Sequence, residues 1–401
     1  MARKLLSGNK AAAEGARLSG VQVVAAYPIT PQTEIVETLY ELISRGEMKA
    51  YAIPVESEHS AMSACVGASV VGARAFTASS SQGLALMHEC LFLASGFRLP
   101  IVMAVSNRAL SQPVSIMCDH GDSLAQRDTG WLQFYTENCQ EVLDMIPIAY
   151  KIVEDARVLL PAMVCLDGFF LSHLSEPVDV PSKTDVEEFV PKKEPFYPTL
   201  DIEKPLALGV MPYPPYHSEF QYDKHFCLEK SRDIVYEAFD KFARTFGRRY
   251  SPIETLSTDD AEIVLVGMGS MMGTVREMVK RLRSKGISVG MVKIGMYRPF
   301  PYREVAQALG KADTIGVLDR DVSLGTGGIL YLDVLRSLYN LPRRPKAVNL
   351  ILGLGGRDVS HLTIEKAVAE IEAVRKTGVV EKEIIWPDAD TKVLRAWGIG
   401  E

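Results

Sequence analysis

Two acidic residues, Glu56 and Glu58, stand at the start of a predicted helix over residues 58–71 that is rich in alanine, serine and glycine. Acidic side chains in a first helical turn commonly stabilise the helix dipole and have no further role. The alternative is that one carboxyl group faces a cofactor, because small residues along the helix would let a flat ring or a neighbouring chain approach closely. The sequence leaves both interpretations open.

A threonine and an arginine each follow a predicted strand. Thr30 lies in the motif Tyr-Pro-Ile-Thr-Pro at 27–31, where two prolines stiffen the backbone after the apolar run at 21–26. Arg108 follows the apolar run at 100–104. Ligands bind at the carboxyl edge of open α/β sheets, and an arginine there can bind a carboxylate through two parallel hydrogen bonds. A helix cap at Thr30 and an ion pair at Arg108 are the ordinary alternatives.

A polar loop contains Asp119, His120 and Asp122. One histidine with two aspartates is a weak metal signature, and acidic loop residues usually serve caps and turns, so we predict no metal ion held by this chain. None of the 6 cysteines has the C-x-x-C spacing, which argues against a zinc ribbon or an iron–sulfur cluster bound by this chain alone.

Alternating strand-like and helix-like segments must position these side chains. In the first part of the chain, the predicted strands are 21–26, 50–55, 73–78, 100–104 and 160–166, and the predicted helices are 34–44, 58–71, 84–94 and 141–153. Prolines recur from Pro177 to Pro215 and predict a linker or wrapping arm, with a helix over 223–246 after it. A second α/β unit begins near residue 260. Alternation of this kind predicts parallel sheets covered on both faces.

Composition excludes several classes of protein. The chain has 401 residues, 47% of them hydrophobic and 23% charged, as in a globular protein, and its net charge of -6 argues against nucleic-acid binding. Its start lacks the apolar core of a signal peptide, and no apolar run reaches the roughly 20 residues of a membrane span. We therefore expect a cytoplasmic protein with neither nucleic-acid nor membrane partners.

Taken in order, these clusters resemble the alpha subunit of the pyruvate and 2-oxoacid:ferredoxin oxidoreductases, a thiamine-diphosphate-dependent family. The resembling segments are Gly8 to Glu14, Tyr27 to Pro31, Ser57-Glu58, Ser80 to Leu84, Asn107 to Ser111, Asp119 to Asp122, Arg127 to Gly130 and Leu166 to Phe169. Because the ordered set runs over nearly the whole chain, it is far more specific than any single member.

The resemblance implies an α/β fold in which two domains follow one another. We expect a pyrimidine-binding-type thiamine diphosphate domain with a parallel sheet over 1–175 and a proline-rich arm with a helix over 176–258. A transketolase C-terminal-like α/β domain over 259–378 and a tail over 379–401 would follow.

The resemblance also implies roles for individual residues. Glu58 occupies the position of the glutamate that activates thiamine, with Glu56 as the alternative. A carboxyl group that donates a proton to ring atom N1′ favours the imino form of the cofactor, which then serves as its own base. Burial would keep such a carboxyl protonated near neutral pH. Thr30 and Arg108 would hold the 2-oxoacid carboxylate. The expected cofactor contacts are Glu58, Pro28, Ile29, Ser81 and Gln82.

Parts of a complete thiamine enzyme are missing from this chain. The diphosphate motif, Gly-Asp-Gly with a more distant asparagine, is absent, since Gly121-Asp122-Ser123 fails at its third position. The resemblance implies that a beta subunit supplies the diphosphate and Mg²⁺ site, and that gamma and ferredoxin-like delta subunits supply the 4Fe–4S clusters. Coenzyme A would be the co-substrate, and ferredoxin or a similar protein the electron acceptor.

The substrate and the class of protein each have an alternative. Many pyruvate-type members carry an aromatic residue where this chain has Met117 and Cys118, which we expect to line the substrate pocket. Pyruvate is the default substrate, and a branched or aromatic 2-oxoacid, such as 2-oxoisovalerate or phenylglyoxylate, is the rival. The glycine-rich turn at 267–273 leaves a non-catalytic nucleotide-binding module as an alternative class, and a non-redox thiamine transferase of transketolase type is the third hypothesis.

Overall fold

The computed structural model of the protein describes residues 2–192 and 199–399. The strands are β1 (Ala2–Ser7), β2 (Val23–Ala26), β3 (Tyr51–Pro54), β4 (Ala75–Ser79), β5 (Val102–Asn107), β6 (Leu132–Tyr135), β7 (Ala162–Asp167), β8 (Ser175–Val180), β9 (Ile253–Leu256), β10 (Ile263–Gly267), β11 (Val289–Ile294), β12 (Met296–Arg298), β13 (Thr314–Asp319), β14 (Lys346–Ile351) and β15 (Ile384–Ile385). The helices are α1 (Gly8–Leu18), α2 (Thr33–Ser44), α3 (Glu58–Val70), α4 (Ser81–Leu86), α5 (His88–Gly96), α6 (Gly121–Leu124), α7 (Cys139–Val153), α8 (Lys183–Phe189), α9 (His217–Phe246), α10 (Met271–Ser284), α11 (Tyr302–Leu309), α12 (Ile329–Leu338), α13 (His361–Thr377) and α14 (Thr391–Ala396). As predicted, the architecture is α/β with parallel sheets.

The first sheet has the strand order β12-β6-β7-β5-β4-β2-β3. Every neighbouring pair is parallel except β12 with β6. Strands β4, β5, β6 and β7 are buried along their whole length because helices cover both faces, which is why they read as continuous apolar runs. Their carboxyl ends meet along one edge, where Asn107 of β5 pairs with Asp167 of β7.

The second sheet has the order β15-β14-β13-β10-β11-β9, and only β9 is antiparallel to its neighbour. A separate antiparallel pair joins β1 to β8. Three apolar layers hold the molecule together, and the middle layer contains side chains of both sheets, among them Met103 of β5 and Val264 of β10. The two α/β units therefore share one continuous core.

Strand β12 departs from the two-unit pattern predicted from the sequence. It follows β11 of the second sheet directly, yet it pairs with β6 of the first, Met296 against Phe134. This excursion carries the chain from the second sheet to the first, and the chain rejoins the second sheet at β13, after helix α11. Its pairing partner lies far away in the sequence, so no local pattern could indicate it.

The segment predicted to be a linker begins with regular structure. Pro177 lies within β8 and pairs with Leu5, which is tolerated because β8 has only one neighbouring strand. Helix α8 then follows, with Ser182 as its N-cap. Two of the linker prolines, Pro195 and Pro198, fall in residues 193–198, outside the described residues. The division of the chain at 175, 258 and 378 stays a prediction. Among the described residues, no helix combines the length and apolar character of a membrane-crossing segment.

Candidate active site

The carboxyl edge of the first sheet divides into two parts. The open half consists of the loops that follow β2, β3, β4 and β5, and it carries the predicted site residues. The closed half consists of the ends of β6 and β7, which the second α/β unit covers. Polar side chains occupy both halves, but their partners differ.

Thr30 and Arg108 meet in the open half. Arg108 Nη1 donates to the backbone oxygen of Thr30 at 3.0 Å, and its Nε donates to the backbone oxygen of Ser115 at 2.9 Å. The buried Asn9 donates through Nδ2 to the oxygen of Pro31 at 2.8 Å, which fixes the loop that presents Thr30. Thr30 is exposed, and Arg108 is half-buried. The loop and the guanidinium thus form one surface that can accept a carboxylate.

Glu58 begins α3 and is only 5% exposed. The hydroxyl of Ser57 caps the helix by accepting the N–H of Ser60 at 3.3 Å, so the Glu58 carboxyl does not serve as the cap. A methyl group at Gly83 would lie 2.3 Å from Glu58 Oε1, so only glycine at this position leaves room for the carboxyl. Burial raises the pKa of the Glu58 carboxyl. In contrast, Glu56 is exposed and accepts a hydrogen bond from Ser60, which lowers its pKa.

The other predicted cofactor contacts lie on the segments that follow β2 and β4. Ser81 is buried, and its hydroxyl lies within hydrogen-bond distance of two acceptors, the oxygen of Ala109 and Gln82 Oε1, so it donates to one of them at a time. The Gln82 amide donates to the hydroxyl of Ser111. Pro28 is exposed and Ile29 half-buried on the loop before Thr30.

The predicted pocket residues Met117 and Cys118 separate. Met117 is 37% exposed beside the loop of Arg108, and its backbone oxygen accepts the N–H of Ala109 at 3.0 Å. Cys118 is fully buried, with Sγ 3.5 Å from Arg320 Nη1 of the second unit, and burial raises the pKa of its thiol. Gly356 of the second unit packs against this turn, because its N–H donates to the oxygen of Cys118 at 2.8 Å.

The closed half centres on the buried Asp167. Its carboxylate accepts from Arg320 Nη1 at 2.7 Å and from Ser270 through the backbone N–H at 3.0 Å and the hydroxyl at 2.5 Å, and it lies 2.8 Å from His120 Nε2. Burial alone would raise the pKa of Asp167, but His120 and Arg320 hold it below its ordinary value. The glycine-rich turn therefore receives the chain's own carboxylate at the start of α10. A side chain at Gly269 would strike Asp167, so close packing accounts for that glycine.

A second ion-pair group closes the end of β6. Lys293 of β11 is 2% exposed and lies 2.9 Å from Glu137, which also pairs with Arg276 of α10 at 2.8 Å. Burial alone would raise the pKa of Glu137, but the two cations hold it below its ordinary value. Both ends of the closed half are thus neutralised within the chain.

Within residues 2–192 and 199–399, one group of side chains could hold a metal ion: Cys118, His120 and Asp167, whose ligand atoms lie within 4.8 Å of one another. Arg320 contacts both Cys118 and Asp167 and already supplies the positive charge there. A cation added to this group would be repelled by the buried guanidinium. Asp119 and Asp122, the acids of the weak metal signature, face backbone N–H groups instead.

The sequence did not predict the residues that hold the loops and strand ends of the site in place. Asn9 and Asp122 lay in segments noted for resemblance, but nothing in their neighbours indicated which groups they bind. Arg320 and Ser270 were missed because their contacts with Asp167 join residues 153 and 103 positions apart. The one signal that the sequence offered for Arg320 was its position just after the predicted strand at 314–318.

Two family models match the chain. The description "Pyruvate flavodoxin/ferredoxin oxidoreductase, thiamine diP-bdg" applies to residues 14–240. The description "Pyruvate:ferredoxin oxidoreductase core domain II" applies to residues 261–365. The first match contains the whole open half, and the second contains Gly267, Arg320 and Gly356. The two models therefore cover residues on both sides of the contact between the first and second α/β units.

Similar proteins carry two kinds of name. Pyruvate synthase subunit PorA of Pyrococcus horikoshii is 47% identical over 384 residues, which cover 96% of this chain and 97% of that protein. The subunit of the same name in Methanothermobacter thermautotrophicus is 47% identical, with 96% and 98% covered. Ketoisovalerate oxidoreductase subunit VorA of Pyrococcus furiosus is 48% identical, with 96% and 97% covered.

Solved structures share the fold at low identity. A 2-oxoglutarate:ferredoxin oxidoreductase from Magnetococcus marinus, solved with 2-oxoglutarate, coenzyme A and succinyl-CoA, gives a TM-score of 0.68 at 21% identity, covering 92% of this chain and 65% of that chain. A split-gene transketolase, an inactive beta4 tetramer, gives 0.53 at 13% identity, covering 93% and 97%. The two similarities show that this chain shares the α/β fold of these proteins.

Proposed function

The chain belongs to the pyruvate flavodoxin/ferredoxin oxidoreductase family, and on that premise we propose that its open half is the pyrimidine side of a thiamine diphosphate site. The protein is a subunit of an oxidoreductase that acts on 2-oxoacids with ferredoxin as acceptor. The observation that carries the proposal is the carboxyl group of Glu58, which is buried beside Gly83 and has a raised pKa. Glu58 has no ion-pair partner among the described residues, and a buried acid of this kind can hold a proton and donate it in a hydrogen bond to a pyrimidine nitrogen.

Glu58 holds the catalytic proton in this proposal. Its raised pKa keeps a proton on the carboxyl closer to neutral pH than an exposed glutamate would, so it donates a hydrogen bond to the pyrimidine ring. Bound thiamine diphosphate supplies the nucleophilic carbon and the electron sink for breaking the bond between carboxylate and 2-oxo carbon. Gly83 leaves room for the Glu58 carboxyl, and Ser81, Gln82, Pro28 and Ile29 are the further cofactor contacts that we propose.

Thr30 and Arg108 bind and orient the 2-oxoacid carboxylate. The guanidinium uses Nε and Nη1 for backbone oxygens of Ser115 and Thr30, and these two contacts fix its plane. The remaining N–H groups of Arg108, with the exposed hydroxyl of Thr30, then face the substrate. A guanidinium fixed in this way loses little conformational entropy when it binds a carboxylate.

Partner subunits complete the site. Glu137 and Asp167, the acids at the ends of β6 and β7, are committed to ion pairs within the chain, so we assign the diphosphate and Mg²⁺ site to a beta subunit. Gamma and ferredoxin-like delta subunits would carry the 4Fe–4S clusters, and coenzyme A would accept the acyl group. The cytoplasm is the expected location.

Met117 sets the size of the substrate pocket. Overall identity does not distinguish the substrate, because the relatives named for pyruvate and for ketoisovalerate are 47% and 48% identical. Met117 is exposed beside Arg108, whereas Cys118 is buried against Arg320. Pyruvate is the default substrate, and 2-oxoisovalerate or phenylglyoxylate is the alternative.

The native complex provides the test. We expect it to oxidise a 2-oxoacid only when coenzyme A and a viologen dye are both present, and we expect pyruvate to give the largest kcat/KM in a panel with 2-oxoisovalerate and phenylglyoxylate. Faster turnover of a branched or aromatic substrate would reverse the substrate assignment. A purified complex that reduces no dye with any member of the panel would contradict the proposed function itself.

A further inference from the structure

We propose that Asp122 is a positioning residue for the 2-oxoacid carboxylate site, because its carboxylate joins the backbone of Ser81 to that of Arg108. This inference rests on the proposed function of Arg108. Asp122 does not touch the surface that receives the substrate. It acts through the two loops on which that surface is built.

The contacts of Asp122 are all with nitrogen donors. Its Oδ2 accepts the backbone N–H groups of Ser81 and Arg108, both at 2.9 Å. Its Oδ1 accepts Asn107 Nδ2 at 2.8 Å and the backbone N–H of Ser123 at 2.7 Å. The residue is 0% exposed. Since every neighbour donates, the position requires a group with two acceptor oxygens, and a carboxylate is the side chain that offers them.

The same carboxylate stabilises an unfavourable backbone conformation. Ser81 has a φ of 48°, in the left-handed region that residues other than glycine rarely adopt. Its N–H bond to Asp122 and its hydroxyl bond to Ala109 hold this conformation, which turns the chain from β4 into α4. Gly83, which packs on Glu58, lies two residues further along this turn.

Arg108 depends on Asp122 for the direction in which its side chain leaves the sheet. Three of its groups are fixed within the chain: the backbone N–H by Asp122, Nε by Ser115 and Nη1 by Thr30. Loss of the first contact leaves the N–H of Arg108 without this acceptor and lets the strand end move. A guanidinium displaced in this way binds a carboxylate less well.

The charge state of Asp122 gives a readout that does not need a variant. Burial raises its pKa to about 6, although the four N–H donors favour the carboxylate. The titratable groups that face it, Tyr135 and Cys165, are neutral because burial raises their pKa values. As the pH falls through about 6, Asp122 gains a proton and loses an acceptor, so we expect the KM for the 2-oxoacid to rise there.

The test is Asp122→Asn in the complete complex. An amide has one acceptor oxygen, and in either orientation its NH₂ group faces two N–H donors. We expect the KM for the 2-oxoacid to rise about tenfold or more, while the KM for coenzyme A stays within about twofold. The matched control is Asp119→Asn, since the carboxylate of Asp119 accepts the N–H of Gly121 in the same loop.

Arg108→Lys, measured in the same assay, separates the possible failures. If Arg108→Lys raises the KM for the 2-oxoacid and Asp122→Asn does not, the positioning role is overturned while the proposed function stands. If neither variant changes that KM, the proposed carboxylate site fails as well. Should Asp122→Asn fail to assemble, the wild-type pH profile decides, and a KM that stays flat from pH 8 to about pH 5 overturns the role of Asp122.

Discussion

The open and closed halves of one sheet edge each contain a buried carboxyl group, but only the carboxyl group of the closed half has ionic partners among the described residues. Each has a buried carboxyl group near a strand end, Glu58 in the open half and Asp167 in the closed half. Asp167 is matched by Arg320, Ser270 and His120, whereas burial without such partners raises the pKa of Glu58. The difference shows that the sheet edge alone does not make a site, since ligand chemistry requires polar groups left unmatched by the chain.

The two halves also differ in which part of the molecule completes them. The second α/β unit supplies the cations for the closed half, and it reaches the open half at Cys118, through the loop at Gly356 and through Arg320. A mutation of Glu58, the buried carboxyl of the open half that has no ion-pair partner among the described residues, should therefore alter catalysis with little effect on stability. A mutation in the closed half should do the reverse.

The largest effect is expected for Glu58→Gln. The amide keeps the size of the side chain but cannot provide the acidic proton, so we expect kcat to fall by roughly 10²- to 10⁴-fold. Thermal unfolding of the complex should change little, because the amide replaces a carboxyl that forms no ion pair among the described residues. Dye-linked turnover and calorimetry of the same preparation would measure both quantities.

Glu56→Gln is the matched control, two positions away on the exposed side of the helix start. Its carboxylate accepts a hydrogen bond from Ser60, which an amide oxygen can also accept. We expect turnover to remain near the wild-type value. If Glu56→Gln were the more damaging of the two, the assignment would move to the alternative glutamate.

Asp167→Asn tests the closed half. Removing one partner of a buried ion pair leaves Arg320 uncompensated, which costs about 3–5 kcal/mol. The sign of the pH dependence follows from the lowered pKa of Asp167. The carboxylate stabilises the fold fully above the pKa of an unfolded aspartate, about 3.9, and this stability is lost as the pH falls towards the lower folded value. The deficit of the variant should thus be constant near neutral pH and shrink only in acid.

Thermal unfolding and hydrogen exchange at the start of α10 would measure this deficit. The control is Asp179→Asn, which disrupts the exposed pair of Asp179 with Arg3, and we expect no resolvable shift in unfolding temperature. If the Asp167→Asn complex kept its stability but lost turnover, the result would contradict the expectation that the closed half contributes to stability and the open half to catalysis.

The open half was largely predictable because its signals are local. Helix α3 begins at Glu58, where the acidic and small-residue pattern predicts it, and the loops carrying Thr30 and Arg108 directly follow their apolar runs. These elements depend on neighbours in the sequence. One helix was predicted over 84–94, and the structure instead has α4 and α5, which meet at Met87.

The closed half was not predictable because its partners are distant. Asp167 was noted only as part of a resembling segment, and the glycine-rich turn at 267–273 left a nucleotide-binding module as an alternative, although close packing also accounts for its glycines. The choice between them depends on Asp167 reaching Ser270 across 103 positions. Pairing of β12 with β6 depends likewise on tertiary packing rather than on local preference.

The smallest effect is expected for Gly356→Ala. This variant tests whether the second unit influences substrate selectivity in the open half, where Gly356 packs against the turn at Met117. A methyl group there would lie 2.4 Å from Met117 Cβ, so Met117 must move away from the second unit and into the proposed pocket. We expect kcat/KM for 2-oxoisovalerate to fall about tenfold relative to that for pyruvate, the scale of one methylene group in a pocket. The ratio of the two specificity constants is the measurement.

Gly378→Ala controls for backbone strain in this experiment. Gly356 and Gly378 have φ values of 77° and 70°, so alanine is strained at both, but a methyl group at Gly378 has no neighbour within 4 Å. Equal changes in the ratio for both variants would assign the effect to strain and leave Met117 without a role in selectivity. A change confined to Gly356→Ala is expected, because only that methyl group displaces a side chain beside Arg108.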